Sequence, residues 1–174
     1  MADALITVEN LGKSFGDKVL FEDISFGINA GQKSALIARN GYGKTTLINI
    51  LLTAAGQPGY NTLQDSGRIS LRSRLRLASL PQQPVAGAAP EATVRDLVYS
   101  VHRPETEASW DFEQRMAEIL SRLHVDSLLD RPLHTLSGGE QKKAALSRLL
   151  LDDCDLLILD EPTNPLDIDM IEWL

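Results

Sequence analysis

"ARNGYGKTT", residues 38–46, is the stretch whose reading decides the fold. It follows a short apolar run, "KSALIA" (33–38), of the kind that predicts a strand buried on both faces. After it comes "KTTLINILLTA" (44–54), where Leu47, Ile48, Leu51 and Leu52 recur at helical spacing. Strand, glycine-rich loop, helix is the setting of the pattern G-x-x-x-x-G-K-[ST]. There, backbone N–H groups surround phosphates, the lysine reaches the β and γ phosphates and the hydroxyl holds Mg²⁺. Gly43, Lys44 and Thr45 occupy the fixed positions, with Asn40, Gly41 and Thr46 beside them as further phosphate contacts. Ala38 stands where the pattern opens with glycine, which is tolerable if its φ is negative. Tyr42 can point outward, because the backbone is what meets phosphate. A second reading stays open: a glycine-rich turn that caps an ordinary helix.

Composition narrows the rest. A chain of 174 residues with 43% hydrophobic content suits one domain with its own core. A net charge of −7 argues against a generally basic nucleic-acid binder. Cys154, the single cysteine, rules out an internal disulfide and reads as buried beside a strand. The opening "MADALITVEN" lacks the basic region of a signal peptide, and no apolar run reaches the roughly 18–20 residues of a membrane span. The expected setting is cytoplasmic, without direct membrane insertion.

Working outward from the loop, Leu5–Leu11 and Lys18–Ile28 read as strands and "RISLRSRLRLASL" (68–80) as two more. A helical pattern runs from Thr93 to Leu129, giving a helical subdomain at about 90–135, and another helix follows Ser137 to about Leu151. Strands alternating with helices predict an α/β fold: a mostly parallel core sheet, an antiparallel β layer and a helical subdomain.

Two further motifs follow in order. "LLILDEPT" (156–163) carries Asp160 and Glu161 to a strand end, 116 residues after Lys44. Asp160 there can support Mg²⁺ and Glu161 can orient or deprotonate water; a solvated acidic turn is the plainer account. "LSGGEQKKAALSRLL" (136–150) sets Ser137 and Glu140 as a capping box, S-x-x-E. The same serine and two glycines make an open anion site at a helix N-terminus, and two glycines there weaken a helix, which favours that second account.

Together, "LSGGEQKKAALSRLLL" and "LLILDEPTNPLD" resemble the signature motif, Walker B and D-loop of ATP-binding cassette (ABC) proteins, and "TNPLDIDMIEWL" resembles the ABC-F group. The resemblance implies a P-loop ATPase domain over residues 1–174, binding ATP and Mg²⁺. It assigns Phe15 to stack on adenine, against which plain packing of an aromatic near a turn remains open. Lys44 would hold phosphates, Thr45 would ligate Mg²⁺, and Gln82 would sense Mg²⁺ and the attacking water. Asp160 would support the metal and Glu161 would be the catalytic carboxylate. Ser137, Gly138 and Gly139 would contact the γ-phosphate held by an opposing cassette, and Asp167 would couple the two sites. The departures are Ala38, Glu140 for a glutamine, and Pro165, whose fixed φ and missing N–H stiffen the D-loop. In the family a helix and a strand ending in a switch histidine follow. His102, His124 and His134 all precede Walker B. The expectation is therefore an incomplete cassette, weak or inactive alone.

The implied partner is a second cassette, in the same polypeptide or as a homodimer. ABC-F membership implies a ribosome-associated translation factor; the ATPase subunit of a membrane transporter and an inactive fragment are the alternatives. Arg68, Arg72, Arg74 and Arg76 form a basic group, the last three sharing one strand face by the period of two. It reads either as a contact for ribosomal RNA phosphates or as a solvated strand face. Trp110 and Phe112 are expected to anchor a helix capped by Ser109.

Overall fold

The computed structural model describes residues 3–80, 89, 91–101 and 108–160. Gln82, Glu161, Pro165 and Asp167 lie outside the described residues. The chain divides into two compact units, residues 1–77 and 78–174.

The first unit is built on an antiparallel sheet. Strand β1 (Ala4–Phe15) pairs with β2 (Lys18–Asn29) on one side and β3 (Ser66–Leu71) on the other, giving the order β2-β1-β3. β1 is central because Leu5, Ile6, Val8 and Leu11 are apolar and fully covered. Its ladder with β2 closes at Phe15 opposite Lys18, and Gly16 supplies the positive φ that so short a turn needs. The ladder with β3 ends earlier, at Gly12 opposite Ser66, so the tip of the first hairpin extends past β3. Helix α1 (Lys44–Ala54) buries Leu47, Ile50, Leu51 and Leu52. The polar turn after it is pinned at both ends: Thr62 N–H donates to Thr53 Oγ1 at 3.0 Å, and Gln57 Nε2 donates to the Leu77 carbonyl at 2.8 Å.

Two expectations in this unit need correcting. Lys33–Ala38 forms no strand, and Leu36 and Ile37 are exposed, Ile37 by 91%. An extended segment becomes a strand only where a neighbour takes up its N–H and C=O groups, and in this unit no described strand lies beside it. Nor do Arg72, Arg74 and Arg76 share a strand face. β3 ends at Leu71, a turn follows at Ser73 and Arg74, and Arg74 takes a positive φ of 58°. Arg72 Nη1 meets Asp3 Oδ2 at 3.3 Å.

In the second unit, β4 (Leu77–Ser79), which starts at the boundary, pairs with β5 (Leu156–Ile158). The helical part comprises α2 (Val94–Tyr99), α3 (Ser109–Arg122), 3₁₀ turns at Asp126–Leu128 and Leu133–Thr135, and α4 (Gly138–Leu151). Thr93 caps α2 through a capping box with Asp96. On α3 the residues Phe112, Met116, Ile119 and Leu120 repeat at helical spacing and enter one core with Val94, Val98, Leu123, Leu133 and Leu146. Trp110 falls off that stripe and is 74% exposed, so Phe112 alone anchors the start of the helix. Ser109 is the first residue of α3, and Ala108 before it offers no side-chain cap. Cys154 is half-buried, just ahead of β5.

Candidate functional site

The loop of residues 38–46 closes around the ammonium of Lys44. Lys44 Nζ donates to the Ala38 carbonyl at 2.8 Å, the Arg39 carbonyl at 3.3 Å and Asn40 Oδ1 at 3.4 Å. Two glycines make that curl attainable. Gly41 and Gly43 sit at φ 82° and 85°, in the left-handed region that carries a penalty for any Cβ. A Cβ on Gly43 would also lie 3.0 Å from Phe21 Cδ1 and 3.3 Å from Leu20 Cβ, so β2 presses directly on the loop. Ala38 is not among the positive-φ residues, which is why a methyl group is accommodated there. Tyr42 is exposed, in keeping with a residue whose backbone is what counts.

Because Gly43 is the N-cap of α1, no side chain caps its first N–H groups. Orphan amide donors, the positive end of a helix dipole and a lysine held within the loop form a donor set for an anion. Thr45 is exposed in the first turn, where its hydroxyl is a hard oxygen ligand of the sort Mg²⁺ takes, and Thr46 follows half-buried. These residues fit a triphosphate with its metal ion. Phe15 is 57% exposed at the hairpin tip, and Lys13 Nζ stands 5.2 Å from its ring centroid.

The second unit carries the other motifs. Ser137 caps α4: Glu140 N–H donates to Ser137 Oγ at 3.3 Å and Ser137 N–H donates to Glu140 Oε2 at 2.7 Å. Arg131 Nη1 grips Glu140 Oε1 at 2.8 Å while Nη2 donates to the Thr135 carbonyl at 2.9 Å. The Ser137 N–H, then its hydroxyl and Arg131, hold the Glu140 carboxyl below its ordinary range. Among the described residues, no atom comes within 4 Å of where a Cβ on Gly138 would stand. Asp160 follows β5 by two residues, half-buried. Among the described residues no group of three or more His, Cys, Asp or Glu gathers to hold a metal.

Sequence reasoning passed over Lys13, Ser14, Asp65 and Arg131. Asp65 bonds to residues 51 and 52 positions away, and no local spacing announces a contact across that distance. Arg131 lies nine residues from its carboxylate, outside the helix whose periodicity could have drawn attention to it.

A curled glycine loop on a helix N-terminus, in a chain that also carries an antiparallel layer and, in its other unit, a set of helices, defines a P-loop nucleotide-binding fold of α/β class. The ABC transporter family model matches residues 21–164, and the chain belongs to that family. It is 32% identical to the uncharacterized ABC transporter ATP-binding protein YfmR of Bacillus subtilis, over 98% of this chain and 31% of that protein. It is also 32% identical to the zinc import ATP-binding protein ZnuC of Hydrogenovibrio crunogenus, over 94% of this chain and 62% of that one. Among solved structures, the archaeal ribosome recycling factor aABCE1, in complex with a ribosomal stalk protein, superposes with a TM-score of 0.75. There the identity is 29%, over 97% of this chain and 29% of that one. The chain thus spans from under a third to just under two thirds of these relatives. No helix among the described residues is long and apolar enough to cross a membrane.

Proposed function

We propose that this chain is the ATP-binding cassette of a protein that hydrolyses ATP and couples Mg·ATP turnover to a change of conformation. The observation that carries the reading is Lys44 set inside its own loop, on carbonyl oxygens at 2.8 and 3.3 Å. An ammonium so placed exchanges those weak acceptors for β and γ phosphate oxygens, while the α1 N–H groups bind the same chain of phosphates. Mg²⁺, held by Thr45 and supported by Asp160 and Gln82, would neutralise charge on the phosphates. Glu161 would act as general base toward water. Ser137, Gly138 and Gly139 serve the nucleotide of a second cassette, in the same polypeptide or in a second copy. The setting is cytoplasmic.

Within the family we place the chain with the ABC-F group, as one cassette of a ribosome-associated factor. Near-complete coverage of this chain by a relative three times as long, and the likeness to a ribosome recycling factor, support that placement. The similarity to a zinc import ATP-binding protein favours the second reading, the ATPase subunit of a membrane transporter. Recovery with ribosomes on sucrose gradients supports the first, and recovery with membranes the second.

Lys44→Ala removes a charge-assisted contact of roughly 1.5–3 kcal/mol, so ATP affinity falls about ten- to a hundredfold. Calorimetry with and without the substitution measures it, and equal affinities would refute the loop assignment.

A further inference from the structure

The turn from α1 to β3 ends in Asp65, whose carboxylate reaches the tip of the first hairpin. Oδ1 accepts from Lys13 Nζ at 2.7 Å. Oδ2 accepts from the Ser14 N–H at 2.7 Å and from its hydroxyl at 3.0 Å. Asp65 N–H in turn donates to the Gly12 carbonyl at 2.9 Å. These bonds stand where the β1–β3 ladder has already stopped, at Gly12 and Ser66. A side chain therefore replaces the missing strand and satisfies the Ser14 N–H on that edge, in a two-stranded tip that would otherwise fray.

The clamp has a direction. Lys13 and Phe15 share one face of β1 by the strand's period of two, and Lys13 Nζ lies over the Phe15 ring at 5.2 Å. The Lys13 side chain is only 13% exposed, whereas Phe15 is 57% exposed. One face of the ring thus lies under a fixed ammonium, and more than half of the Phe15 surface is exposed. The same hairpin meets the phosphate loop: Lys13 pairs with Phe21, and Phe21 is the side chain pressed on Gly43. We propose that Asp65 is a positioning residue of the nucleotide site. By holding Lys13 against one face of Phe15 and clamping the hairpin tip, it presents the other face of the ring to the purine of the nucleotide whose phosphates the 38–46 loop binds.

The inference rests on the nucleotide-binding reading above and adds to it a base-directed role for a residue that touches no nucleotide. The lowered pKa of Asp65, about 2, agrees with a carboxylate that stays charged and paired throughout the working pH range.

The test compares two ligands on the full chain with Mg²⁺: ATP, and inorganic tripolyphosphate, which engages the loop but has no base to stack. A base on an aromatic ring adds roughly 5- to 100-fold in affinity, so the wild type should prefer ATP by a factor in that range. Asp65→Asn should lower that preference at least about threefold while tripolyphosphate affinity holds. Phe15→Ala should abolish the stacking share, after which Asp65→Asn should cost nothing more. Lys13→Met, which keeps most of the stem and removes the ammonium, should reproduce the base-selective loss, and it carries the test should Asp65→Asn fail to fold. An equal loss for both ligands, or an unchanged preference, overturns the proposal. A wild type with no preference for ATP overturns it too and leaves the phosphate-loop reading standing. Binding of neither ligand would sink that reading, and this inference with it.

Discussion

Gly43 and Ala38 are five residues apart, and their backbones ask for different things. Gly43 sits at φ 85° with Phe21 Cδ1 where a Cβ would reach to 3.0 Å, while Ala38 is outside the positive-φ set. Gly43→Ala should destabilise the chain by about 1–2 kcal/mol from the left-handed backbone alone, and tripolyphosphate affinity should fall because the curl opens. Ala38→Gly, which restores the glycine of the pattern, should change ATP affinity by less than about threefold, since no strain awaits relief. Urea denaturation and calorimetry on the two variants check both; a gain above tenfold at residue 38 would mean that Ala38 disables the loop.

At the scale of an element, α4 depends on its first turn. Ser137 Oγ and the Glu140 carboxylate satisfy each other's backbone N–H, and Arg131 closes the far side. Ser137→Ala should cost about 1 kcal/mol of stability, the usual worth of an N-cap hydroxyl. The Glu140 share depends on pH in a defined sense. Its carboxyl is held below the ordinary 4.5 by Ser137 first and then Arg131, so its contribution is fully present above about pH 4.5. It is lost as pH falls through the lowered folded value. The melting temperature of wild type relative to Glu140→Gln should therefore stay constant from pH 7 to about 5 and converge below about 4.5. A gap that does not narrow in acid would show that the carboxylate's charge contributes nothing to the cap.

For the whole molecule, the two units divide the chemistry. Residues 1–77 carry the phosphate loop and Phe15, and residues 78–174 carry Ser137 and Asp160. Under the proposed pairing of two cassettes, a working site takes Lys44 from one cassette and Ser137 from the other. A cassette preparation bearing Lys44→Ala and one bearing Ser137→Ala should each release phosphate slowly. Mixed, they should regain a fraction of the wild-type rate, because the mixed pair keeps one site with both residues intact. Phosphate release in the mixture no faster than the mean of the two parts would argue against a shared site.

The sequence by itself determined the local parts. The first hairpin, the helix after Lys44 and the capping box of α4 all follow from neighbours a few residues apart, where propensity and period act. Three ordered motifs carried the family as well. Only the tertiary structure decided what depends on distant partners. Whether "KSALIA" is a strand turns on a neighbour to bond with, not on its own apolarity. Trp110 stays in solvent because of where its helix turns. Asp65 clamps Lys13 and Ser14 because the chain returns β3 to the edge of β1 and stops it short, so a carboxylate meets the N–H that no strand reaches.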